Sequence, residues 1–182
     1  MKISVKNMIL VALFAAITAV CAQIAIPVPF STVPFTLQVV AVCLAGGVLG
    51  KKLGTLSIIV YLLLGAIGIP VFAKFTGSLS ILVGPTGGFL LSFPIATYII
   101  GSFLERKRNY FTAIVSMLLG LIVIYGMGMV QFKYVTAMSW EQTFAFTFVP
   151  FILPDLIKIA LTARLVLDIT RTLAKNNLLV NP

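Results

Sequence analysis

Histidine is absent from this chain, and only 4 of its 182 residues are acidic. Without an imidazole there is no histidine to ligate a metal or to move a proton near neutral pH. Charge of either sign is scarce. Asp, Glu, Lys and Arg make up 9% of the residues, where a water-soluble domain carries roughly a quarter. So few charges cannot wet the surface of a globule of this size, which excludes a soluble enzyme, a disordered tail and a secreted disulfide scaffold. The two cysteines, Cys21 and Cys43, lie inside apolar runs and read as small core residues. No G-x-x-x-x-G-K-[ST] string occurs, so nothing here can cradle and hydrolyse a nucleotide. No serine or cysteine has a general base close by in sequence, and catalysis is not expected.

What fills the chain instead is hydrocarbon, with 60% of the residues hydrophobic. A helix needs about 20 residues to cross roughly 30 Å of bilayer, so the intervals between charges count the spans. Lys6 to Lys51 has room for two, divided by the proline-rich stretch from Pro27 to Pro34. Lys52 to Lys74 holds one, stopped at Gly68-Ile69-Pro70. Lys74 to Glu105 holds a loop and one span, with Gly84-Pro85-Thr86-Gly87-Gly88 as the turn. Arg108 to Lys133 holds one more. The last span is the exception, because it carries Asp155, Lys158, Arg164 and Asp168. The expectation is an all-α integral membrane protein, a single domain over 1–182 in the lipid bilayer. Its six transmembrane helices fall near 7–27, 36–50, 53–70, 86–104, 110–131 and 144–172.

The net charge of +9 does not call for nucleic acid. In the six-span arrangement Lys2, Lys6, Lys51, Lys52, Arg106, Lys107, Arg108, Arg171 and Lys175 share one side, and only Lys74 and Lys133 fall on the other. That bias places both termini in the cytoplasm. A cleaved signal peptide is disfavoured, since the first apolar run continues through Ile26 with no good small-x-small site after it. The tail from Lys175 to Pro182 is expected to fray. Glu105, beside Arg106-Lys107-Arg108, reads as a solvated surface charge. Glu141 and Trp140 read as an outer loop with an interface anchor.

Asp155 and Lys158 are three residues apart on a helix and so share a face, which Thr162 continues. A carboxylate and an ammonium inside the apolar slab mark a functional site by default. The bland alternative is an ion pair that only locks the helix. Pro154 predicts a helix start or kink just before Asp155. Arg164 and Asp168, four apart on the opposite face, read as a satisfied pair near the inner surface. The outer loops are stiff and aromatic at 27–35, mixed and glycine-bearing at 71–77. They suit a lid over a small, largely apolar ligand, or are merely short connections. Thr36 and Gln38, at the start of the second helix, offer further hydrogen bonds. On the first helix Ala12/Ala16 and Ala15/Ala19 form small-x-x-x-small pairs. Such pairs serve packing within the bundle or docking of another membrane protein.

These strings resemble the BioY family, the biotin-binding S components of energy-coupling-factor (ECF) vitamin transporters. The resemblance rests on VPFTLQ at 33–38, GIPVFA at 68–73, GPTGGFLLSFPIA at 84–96 and PDLIK at 154–158. It implies an S-component fold in a bacterial plasma membrane that captures biotin from outside. It also implies partners, a transmembrane coupling subunit and two cytoplasmic ATPases, and no cofactor beyond the transported biotin. Asp155 and Lys158 would bind the polar groups of biotin, helped by Thr36, Gln38, Lys74 and Thr86. Phe35, Phe75 and Phe89 would pack its ring. The family's docking face on the first helix would recruit Ala12 and Ala16, or Ala15 and Ala19. The competing reading is a standalone carrier in which Asp155 couples transport to protons.

Overall fold

The computed structural model describes residues 4–28 and 33–176. The stretch 29–32, Lys2 and the tail beyond 176 lie outside it. In lipid every backbone N–H and C=O must find its partner within the chain, and the long apolar runs accordingly fold as helices. Helix α1 (Val5–Gln23) starts at Ser4, whose side chain accepts from the Asn7 amide. It is followed by a two-residue ribbon, β1 (Ala25–Ile26) antiparallel to β2 (Phe35–Thr36). Helix α2 (Gln38–Ala66) leads to a 3₁₀ turn at Ala73–Phe75 and the short α3 (Leu79–Val83). Then come α4 (Gly87–Arg106), α5 (Tyr110–Thr136), α6 (Trp140–Thr147) and α7 (Val149–Lys175). Asn109 caps α5, and Ser139 with Gln142 forms a capping box on α6.

Among the described residues, α1, α2, α4 and α5 are long and apolar enough to cross a membrane. The α6–α7 pair, bent by 41°, makes a fifth. The molecule is a multi-pass membrane bundle in which α4 packs between α2 and α5, α1 lies against α2, and α7 closes onto α2 and α5.

Helix α2 is not straight. At Gly50 the backbone takes φ 78° and ψ −178°, a conformation open to glycine and disfavoured for other residues. The chain reverses there. Gln38 donates to the Tyr61 hydroxyl at 2.6 Å, although 23 residues of continuous helix would hold them roughly 34 Å apart. The spans expected at 36–50 and 53–70 are thus two arms of a hairpin turned by a single residue. Glu105 seals the turn: its Oε1 accepts from the Lys51 amide at 2.8 Å, and its Oε2 lies 3.0 Å from Lys51 Nζ. It is therefore a half-buried cap on the second arm, not the solvated charge expected from its basic neighbours.

The last span also differs from expectation. In place of one helix over 144–172, α6 and α7 meet at Phe148. Pro154 neither starts nor breaks α7, because Pro150 already occupies its first turn, where the missing N–H costs nothing. The carbonyl that Pro154 leaves unpaired is that of Pro150, still in that first turn. Packing at the end of the bundle near Gly50 is close. A methyl group on Gly46 would sit 2.7 Å from the Thr97 carbonyl, and one on Gly101 would collide with the backbone of Gly50 and Lys51.

Candidate functional site

At the opposite end, the start of α2, the loop 71–76, the start of α4, the second half of α5 and the start of α7 surround a cavity of about 270 Å³. This is near the lower end for small-molecule pockets, roughly 300–1,000 Å³. Asp155 and Lys158 lie in its wall, 5% and 9% exposed. One helical turn sets their spacing, and Lys158 Nζ donates to Asp155 Oδ1 at 2.8 Å. The second carboxylate oxygen accepts from the Tyr125 hydroxyl at 2.7 Å. Lys158 also donates to the Thr36 carbonyl at 2.7 Å, and its Nζ stands 3.6 Å from the centroid of the Phe35 ring. The β-ribbon makes this possible, because pairing Ala25 with Thr36 and Ile26 with Phe35 fixes the segment that meets α7.

The accounting of donors and acceptors decides what the pair can do. An ionised carboxylate has about four lone-pair sites, and an ammonium has three protons. Asp155 uses two sites and keeps acceptor capacity toward the cavity. Lys158 has committed two protons and turned its cationic face to an aromatic ring. The wall is best equipped to receive a ligand that donates N–H or O–H groups.

Thr36 and Gln38 both border the cavity, but their side chains bond each other. Thr36 Oγ1 donates to Gln38 Oε1 at 3.0 Å, and Gln38 passes the chain on to Tyr61. Their visible work is to hold the Thr36 carbonyl beneath Lys158. Lys74, Thr86 and Phe89 line the cavity. Among the described residues no hydrogen bond or ion pair engages the Lys74 ammonium. Phe35 reaches the site through Lys158. Phe75 does not reach it: the residue is 72% exposed and is not part of the cavity wall. Thr162 is buried one turn below the pair, outside the wall.

Sequence reasoning missed Tyr125 and the rings of Phe72, Phe93 and Phe151, all of which line the cavity. Tyr125 carried a signal, since a phenol in mid-span needs a partner for its hydroxyl. The phenylalanines carried none in so apolar a chain.

The two alanine pairs on α1 separate. Ala15 is buried and Ala19 half-buried against the bundle, whereas Ala12 and Ala16 are exposed. Arg164 and Asp168 form an exposed pair, Nε to Oδ2 at 3.0 Å. Trp140 is exposed, with Lys133 Nζ 5.3 Å from its ring centroid.

The chain is similar to known proteins over most of its length. The chain is 48% identical over 156 residues to the probable biotin transporter BioY of Pyrococcus horikoshii, covering 85% of this chain and 90% of that protein. It is 40% identical over 166 residues to the biotin transporter BioY of Thermotoga maritima, covering 91% and 96%. The fold matches the crystal structure of the S-component for biotin from an ECF-type ABC transporter with a TM-score of 0.86, 29% identity and 92% of each chain covered. The sequence model described as the BioY family matches residues 1–175. The chain belongs to the BioY family.

Proposed function

We propose that this chain is the biotin-capturing S component of an energy-coupling-factor importer in the plasma membrane. The observation that carries the reading is the buried Asp155–Lys158 pair in the wall of an aromatic-lined cavity. Biotin has two ureido N–H donors, a ureido carbonyl, an apolar sulfur ring and a carboxylate tail. Asp155, with its spare acceptor capacity, receives the ureido N–H groups. Lys158 polarises the carbonyl, and the otherwise unengaged Lys74 answers the tail. Phe89 packs the ring system, with Phe35 beneath the ammonium.

The bundle crosses the bilayer six times, counting the two arms of α2 separately and α6–α7 as the last span. The basic end, with Lys6, Lys51, Lys52 and Arg106, faces the cytoplasm together with both termini, and the cavity faces outward. With no nucleotide-binding loop of its own, the chain relies on a transmembrane coupling subunit and two ATPases. The exposed Ala12/Ala16 face of α1 supports docking there.

Calorimetry with biotin on the detergent-solubilised protein tests the site. Wild type binds, and Asp155→Asn loses at least about 2 kcal/mol, some thirtyfold in Kd, because a charged acceptor is removed from a dry wall. Full-affinity binding by Asp155→Asn would remove that carboxylate from the site.

A further inference from the structure

Gln23, the last residue of α1, is not part of the cavity wall, yet its side chain makes four hydrogen bonds. The two protons of Nε2 are shared among the carbonyls of Ala19 at 3.2 Å, Val71 at 3.2 Å and Phe72 at 3.1 Å. Oε1 accepts from the Phe75 amide at 2.9 Å. Three of these four reach across to the loop over the cavity and bracket Lys74. That loop needs holding. Lys74 (φ 60°) and Phe75 (φ 53°) are consecutive non-glycine residues in the left-handed region, which persists only where the surroundings over-determine it. The loop's base is closed by a bridge, with Phe72 and Thr76 exchanging both backbone hydrogen bonds. Phe72 anchors below, its ring edge-on to Tyr61 at 5.5 Å. Thr76 Oγ1 donates to the Ala73 carbonyl at 2.8 Å across the two left-handed residues, and Gln23 holds the Phe75 amide between the bridge's ends.

We propose that Gln23 is a positioning residue, a latch on α1 that holds the 72–76 loop, and with it Lys74 of the cavity wall, in place. The escape rate of bound ligand is then governed by a side chain outside the cavity wall. The ligand named in the test rests on the biotin reading above.

The experiment uses the full chain in detergent and labelled biotin. Gln23→Ala raises the dissociation rate about tenfold, the scale of one to two lost hydrogen bonds, and changes association less than about threefold. In a Lys74→Ala background the same substitution adds less than about twofold, since the group it positions is gone. An unchanged dissociation rate, or effects that multiply independently, would overturn the latch. Hydrogen exchange without ligand gives a readout independent of biotin. The Phe75 and Thr76 amides exchange faster in Gln23→Ala, and unchanged exchange also overturns the proposal. Faster exchange in a protein that fails to bind biotin upholds the latch and discards the ligand. Should Gln23→Ala not fold, Gln23→Glu keeps the acceptor for Phe75 but sets an anion against three carbonyls, and the same increases are expected.

Discussion

Taking a carboxylate and an ammonium out of water costs several kcal/mol for each, and a close pair recovers this only when its remaining groups are also hydrogen-bonded. Asp155 and Lys158 meet that condition through Tyr125 and the Thr36 carbonyl. Breaking the pair and deleting it should therefore differ. Lys158→Leu alone strands a buried anion and lowers stability by about 3–5 kcal/mol, whereas Asp155→Leu with Lys158→Leu costs less, since only the neutral Tyr125 hydroxyl and Thr36 carbonyl lose a partner. Thermal unfolding in detergent separates the two, and biotin binding is lost in both. Tyr125→Phe removes one bond to a charged acceptor and should cost about 1.5–3 kcal/mol by the same measurement. At this scale the sequence was legible where physics makes a residue expensive. A charge amid apolar residues announces itself, as Asp155 and Lys158 did. The backbone strain at Lys74 and Phe75 did not, because neither residue type favours the left-handed region. That is why Phe75 was expected in the cavity and is found outside it.

Among the elements, the hairpin within α2 rests on one backbone conformation. Gly50→Ala must place a Cβ at φ 78° and 2.5 Å from the Glu105 carboxylate. It should cost about 1–3 kcal/mol, seen as a lower melting temperature. Lys51-Lys52 located the division between the two arms, since lysines do not stay in hydrocarbon. A one-residue reversal needed the third dimension, as did the cap from Glu105, which comes from a helix 54 residues away. The α6–α7 junction was misread for a local reason. Two prolines compete to mark the start of α7, and the earlier one, Pro150, takes the first turn, where the missing N–H is harmless.

For the whole molecule, the proposed docking of a coupling subunit belongs to the exposed face of α1. The outward face of α1 carries Ala12 and Ala16 among exposed apolar side chains such as Met8, Ile9 and Leu13. Ala16→Trp should leave biotin binding in detergent unchanged and abolish ATP-dependent uptake in cells that supply the partner subunits. Retained uptake would move the docking surface elsewhere. That the chain is a multi-pass bundle of apolar helices was readable along it. Which alanine pair faces outward was not, because both pairs share the same spacing and only packing against α2 tells them apart.

The tight glycine contacts around Gly46 and Gly101 close the basic end of the bundle. Among the described residues the backbones there already touch, and widening them would mean prising apart the junction that Glu105 seals. The cavity among the aromatic rings lies at the other end of the bundle, away from these contacts.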